Sequence, residues 1–136
     1  FAKDLYERVG LKEDEVSFGD VTKDIPLTKK YDVAMSIEVA EHIPCSKSDT
    51  LVSNLVNATD NMIFFSAAGK GQGGLGHINC QDMVEFWYPK FMDRGWVLYP
   101  DSLSLLEKMN PVDKPSKDPS SVWSWVYSNL RVFIKK

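Results

Sequence analysis

The strongest constraint on the fold is a repeated change of hydrophobic period between residues 31 and 66. Tyr31-Asp32-Val33-Ala34-Met35-Ser36-Ile37 is a near-continuous apolar run of strand length. Leu51, Val52, Leu55 and Val56 follow at helical spacing, and Asn61-Met62-Ile63-Phe64-Phe65-Ser66 returns to a continuous run. A strand buried on both faces reads as such a run, whereas a helix packed on one side shows a stripe. Strand, helix, strand in this order predicts an α/β sheet with flanking helices.

The alternation extends in both directions. Leu5 and Val9 share a helical face that Gly10 ends, and Glu15-Val16-Ser17-Phe18-Gly19-Asp20 alternates like a strand. Residues 22–30, with Pro26, read as a connection. Ser46 and Asp49 have capping-box spacing ahead of the Leu51 stripe. Met83, Phe86, Trp87 and Phe91 predict a helix over 80–94. Pro89 is expected to kink or shorten it, because proline removes a backbone donor and crowds the preceding turn. Residues 96–99 read as a strand and 102–108 as a short helix. A surface loop is expected over 110–120, with Pro111, Pro115 and Pro119, then a helix over 122–129 and a strand over 130–134.

Length and charge narrow the function. A chain of 136 residues, 43% hydrophobic, can bury one sizeable core and is too short for two ordinary domains, so 1–136 reads as a single domain. The net charge of -3, without a Lys/Arg run longer than two, argues against a nucleic-acid partner and favours a small-molecule or protein substrate. Cys45 and Cys80 lack CxxC spacing and read as thiols of a reducing compartment. No apolar run approaches the roughly 20 residues of a bilayer span, and no signal peptide opens the chain, so a cytoplasmic protein without membrane attachment is expected. The opening Phe1, in place of Met, suggests a piece of a longer protein.

In open α/β sheets, ligands bind beyond the carboxyl ends of the strands, where loops vary over a rigid support. That rule selects Gly19-Asp20, the stretch from Ser36 through Ile37 and Glu38 to His42, and Ser66-Ala67-Ala68 ahead of the glycine-rich 69–76. Asp20 is an acceptor suited to an amino group such as that of adenine, or an ordinary turn residue after glycine. Glu38 and His42 share a face if a helical turn begins there, and Glu41 and His42 also suit a helix start. His42 and His77 lack linear metal-ligand spacing and a nearby carboxylate cluster, so no metal site is expected.

Glu15-Val-Ser-Phe-Gly-Asp20 followed by Tyr31-Asp-Val-Ala-Met-Ser-Ile-Glu-Val-Ala-Glu-His-Ile43 resembles the third and fourth sheet strands of class I (Rossmann-like) S-adenosylmethionine-dependent methyltransferases. The stretch from Phe65 to Gln81, carrying GQGGLGHIN, the Trp87 to Phe91 segment and the terminal Trp125 to Phe133 are similar to a bacterial and phage-type subgroup of that superfamily. The resemblance covers nearly the whole chain. It implies that Asp20 approaches the adenine amino group and that Ser36, Ile37 and Glu38 line the methionine and methyl end of the cofactor pocket. It also implies substrate or pocket-shaping roles for Glu41, Gln72 and Asn79, with His42 or His77 taking the proton of a neutral oxygen or nitrogen acceptor.

The family's sheet order is 3-2-1-4-5-7-6, and the chain matches the strands equivalent to 3, 4, 5, 6 and 7. The glycine-rich GxGxG turn after strand 1 and the ribose-binding acid after strand 2 do not precede the match, so weak or absent cofactor binding is expected. Strand 3 then lacks its neighbour and strand 4 has a bare edge. Three outcomes follow: direct pairing of strands 3 and 4, homodimerisation through the exposed edge, or a loosely attached strand 3. Two other functions compete. Gly71-x-Gly73-x-x-Gly76, with Asp101 beyond, satisfies the fingerprint of an NAD-dependent oxidoreductase, and a non-catalytic interaction module could present Trp123, Trp125 and Tyr127.

Overall fold

The computed structural model describes residues 8, 10–109 and 128–136. Strands β1 (Tyr31–Ser36), β2 (Thr59–Phe65), β3 (Trp96–Leu98) and β4 (Arg131–Lys135) form a mixed sheet in the order β1-β2-β4-β3. β1 and β2 are parallel, with Ala34 opposite Ile63 and Ser36 opposite Phe65, while β4 is antiparallel to both β2 and β3.

A parallel pair needs a crossover. Helix α1 (Ser48–Ala58) supplies it, and Thr59 turns extended at its end to begin β2 without an intervening loop. Leu51, Val52 and Leu55 form the buried face of α1, packed in one core with Ala34 and Ile63. That core centres on Phe65, whose ring lies 5.0 Å from Trp87 and 5.2 Å from Phe91. Phe91 in turn stacks on Phe133 of β4 at 4.1 Å. A smaller cluster joins Phe64 and Val132 to Ile37, Met62, Tyr99, Leu130 and Leu105, the last from helix α3 (Ser102–Met109). Among the described residues, no helix is long and apolar enough to cross a membrane.

The expected strand over 15–20 does not form. Glu13–Glu15 is a 3-10 turn, residues 16–20 are irregular, and Phe18 is 71% exposed. A strand is stable only when a ladder takes its backbone groups. Here the following backbone is claimed by a helix: Asn54 of α1 accepts from Ile25 N–H at 3.0 Å and donates to Val21 O at 3.2 Å and Lys23 O at 2.8 Å. Direct pairing of this segment with β1 is not observed, and residues 16–20 form no strand.

Two helix expectations also change. The capping box ahead of α1 is replaced by a 3-10 turn, Cys45–Lys47, with no side-chain cap at Lys47. Asp49 instead pairs with Lys90 at 2.7 Å and Arg94 at 3.1 Å. The helix over 80–94 becomes a π-turn, Met83–Trp87, followed by the short α2 (Tyr88–Met92). Asp82 caps it, accepting from the Val84 and Glu85 amides at 2.8 Å. Pro89 falls in the first turn of α2, where its missing donor is least needed. The loop over 110–120 and the aromatic segment from Trp123 to Tyr127 lie outside the described residues, as does most of the first helical stripe.

Candidate functional site

Because β1 and β2 are parallel neighbours, their carboxyl ends open on the same side of the sheet. The pairing continues past the strands: Ser66 N–H donates to Ser36 O at 2.9 Å, and Glu38 N–H lies 3.2 Å from Ser66 O and 3.1 Å from Ser66 Oγ. Glu38 carries a φ of 52°, the left-handed region that non-glycine residues seldom adopt. Backbone held in this way concentrates at binding and catalytic positions. The chain then enters the 3-10 turn Ala40–His42, so the helical geometry starts after Glu38 and the two residues do not share a helix face.

The glycine-rich segment folds back onto that turn. Ile78 and Asn79 both donate their amides to Glu41 O, at 2.9 and 3.0 Å. Asn79 Nδ2 donates to Ala40 O at 3.3 Å and Ser48 Oγ at 3.0 Å. This clamp brings the rings of His42 and His77 edge to face, with centroids 4.8 Å apart. His42 Nδ1 lies 3.1 Å from Gly76 O and His77 Nδ1 lies 3.0 Å from Gln72 O. A carbonyl oxygen only accepts, so each ring carries a proton on Nδ1 and, when neutral, presents a bare Nε2.

Two glycines set this arrangement. Gly76 has a φ of 77°, and a methyl group on it would stand 3.3 Å from His42 Nδ1. A methyl on Gly74 would stand 2.7 Å from the His77 ring.

Glu38, Ala68, Gly71, Gln72, Gly73 and His77 line a cavity of about 280 Å³ beside the clamp. Ligand cavities usually begin near ~300 Å³, so this one suits part of a small molecule. Four buried oxygens at this end of the sheet have no hydrogen-bond partner among the described residues: Ser36 Oγ, Glu38 Oε1 and both carboxylate oxygens of Glu41. Glu41 is 1% exposed. Burial raises its pKa above the ordinary 4.5 and the Glu38 carboxylate adds to the rise, while its own backbone amide, His42 and the Ala68 amide oppose it. One ligand-capable atom from each of Glu41, His42 and His77 lies within 4.8 Å of the others. In the sequence the histidines have no metal-ligand spacing, and the proximity of His77 to Glu41 and His42 is visible only in the fold. Adjacent strand ends bring residue 77 to residues 41 and 42.

The remaining expected site residues separate. Asp20 is a turn residue: its Oδ1 accepts from Thr22 N at 2.9 Å and Thr22 Oγ1 at 2.6 Å, bonds that hold its carboxyl below the ordinary 3.8. Ile37 is half-buried in the smaller core. Gln72 lines the cavity and staples its loop, accepting from Gly69 N at 2.6 Å and Asn129 Nδ2 at 3.0 Å. Asn79, 1% exposed, is a structural clamp. Ser66 and Ala68 belong to the site, at the strand end that the carboxyl-edge rule selects, although the sequence assigns neither an individual role. No helix starts at Gly76, as a dinucleotide-binding fingerprint requires: residues 77–82 are non-helical and helical structure resumes at Met83.

No protein-family model matches the sequence, and a search of curated proteins finds no match either. The geometry of the site therefore carries the functional argument.

Proposed function

We propose that this chain forms part of a class I S-adenosylmethionine-dependent methyltransferase domain, acting on a small-molecule or protein acceptor. The observation that carries the proposal is the state of Ser36-Ile37-Glu38. This segment, which the resemblance assigns to the methionine and methyl end of the cofactor, holds two buried oxygens without partners and a left-handed Glu38 backbone. The strand order agrees as well: β1-β2-β4-β3 coincides with the 4-5-7-6 run of the family's sheet.

The residues fit the cofactor in part. Ser36 and Glu38 offer an acceptor and a carboxylate to a polar, positively charged group, whereas the Asp20 carboxylate is already engaged by Thr22. When bound, S-adenosylmethionine brings a methyl group on an activated sulfonium, so the protein's task is alignment. Glu38 and the 71–73 backbone bound the cavity in which an acceptor would lie. His42 and His77, each with Nδ1 tied to a carbonyl, keep Nε2 for an acceptor's proton.

Calorimetry with S-adenosylhomocysteine and, separately, NAD tests the proposal. A weak but saturable isotherm with S-adenosylhomocysteine, reduced in Glu38→Gln, and no heat with NAD are expected. Saturation by NAD alone favours an oxidoreductase, and silence from both favours a non-catalytic interaction module.

A further inference from the structure

We propose that Glu41, His42 and His77 bind one divalent first-row transition cation through the Glu41 carboxylate and the two Nε2 atoms. The inference rests on the cluster itself and stands or falls apart from methyl transfer.

Three independent observations converge on it. The first is proximity: the three residues bring ligand-capable atoms within 4.8 Å of one another from two loops clamped together by Ile78 and Asn79. Metal–ligand bonds of roughly 2.0–2.2 Å place neighbouring ligands about 3 Å apart. His42 is exposed, so its ring can tilt about the Nδ1 contact to Gly76 O and close the remaining distance without losing that bond.

The second is the tautomer. Both histidines direct Nδ1 at a backbone carbonyl, Gly76 O and Gln72 O. Histidine ligands characteristically donate the other ring N–H to a carbonyl or carboxylate, which fixes the ring and leaves one nitrogen for the metal.

The third is Glu41. Its carboxyl group is buried and approached only by the Glu41 and Ala68 amides, neither of which makes a hydrogen bond of good geometry to it. Protonation alone does not satisfy it, because a carboxylic acid still carries an O–H that needs an acceptor. A cation would satisfy the oxygens and also offset the nearby Glu38 carboxylate, whose Oε1 is likewise buried and unpartnered.

The donor set decides the class of ion. Two imidazoles with a carboxylate suit zinc, iron(II) or manganese(II) better than magnesium or calcium, which prefer all-oxygen shells. Three protein ligands leave coordination positions open, as in catalytic sites. His77 also lines the adjoining cavity, so an open position there can take water or a substrate oxygen. While a cation holds both Nε2 atoms, neither ring serves as a proton acceptor.

Manganese(II) is the probe, because it is paramagnetic and has little affinity for Cys45 or Cys80. After chelator treatment, the chain is titrated with Mn2+ while the free ion is followed by electron paramagnetic resonance. One Mn2+ per chain is expected, displaced by Zn2+, which binds such sites more tightly. His42→Ala, His77→Ala and Glu41→Gln are each expected to weaken binding at least ~tenfold. His42 is exposed, so its variant should keep the metal-free thermal midpoint and remain informative if Glu41→Gln does not fold. Cys45→Ser with Cys80→Ser should bind as the parent does. Absence of stoichiometric binding, or binding unchanged in both histidine variants, overturns the proposal.

Discussion

At Gly74 the placement of one side chain depends on the absence of another. A methyl group there would meet the His77 ring at 2.7 Å, and the ring would have to move. The backbone of Gly74 does not lie among the positive-φ positions, so alanine adds no conformational strain. Gly74→Ala should therefore alter stability by no more than about 0.5 kcal/mol, as for other surface substitutions. It should also abolish the nuclear Overhauser contact between the His42 and His77 rings. Retention of that contact would show that the loop adjusts instead. The individual residues were unevenly legible in the sequence. Ser36 and Glu38 follow from their position at a strand end and His77 from the resemblance alone; Glu38 and His77 line one cavity, and Ser36 Oγ is buried at the end of β1. Asp20 has the same kind of position, yet Thr22 two residues on takes its carboxylate into a turn. Glu41 reads as a helix-start acid or, by the resemblance, as a substrate or pocket-shaping residue, and its burial depends on a loop more than 30 residues away.

Between elements, the contact of α1 with α2 combines apolar packing with an ion cluster. Lys90 and then Arg94 hold the Asp49 carboxyl below its ordinary 3.8. A depressed carboxyl stabilises the fold fully above its unfolded value, and the contribution fades as pH falls through the folded one. Wild type should exceed Asp49→Asn in urea midpoint at neutral pH, with the gap closing below about pH 3.8. A gap independent of pH would assign the effect to packing. The apolar contribution is larger. Phe133 is fully buried and stacks on Phe91, so Phe133→Ala should cost about 3–5 kcal/mol in urea unfolding. A loss below about 1 kcal/mol would contradict the central place given to this pair.

Legibility differed between elements for the same physical reason. α1 and β2 announce themselves by period and bury against one another, whereas β1 reads as a buried run yet buries only Ala34 and Ser36, because it lies at the edge of the described sheet. The segment over 15–20 has strand-like alternation, but pairing depends on a partner that local sequence does not supply. The π-turn over Met83–Trp87 was not legible, because the Trp87 and Phe91 stripe is compatible with a regular helix, and only the backbone reveals the wider turn.

For the whole molecule, β1 is the edge strand at one side of the sheet, with no outer strand among the described residues. Along it Tyr31, Val33 and Met35 are exposed, Met35 by 65%, and an adjoining apolar groove of about 350 Å³ continues to Leu27 and Val39. Edges of this kind pair with other chains unless charge protects them. Sedimentation of the wild-type chain should depend on concentration, and Met35→Lys should suppress that dependence. Equal behaviour of the two proteins would show that the edge is not the route of association.

The proposed methyl transfer requires the carboxyl ends of β1 and β2, the 40–42 turn and the 71–77 loop to act as one cofactor-binding site. The most direct test is amide chemical-shift mapping of the labelled chain during titration with S-adenosylhomocysteine. Saturable shifts centred on Ser36, Ile37 and Glu38, extending to His42 and the 71–77 loop, are expected. Unchanged amides at 36–38, with shifts elsewhere or none at all, would contradict it.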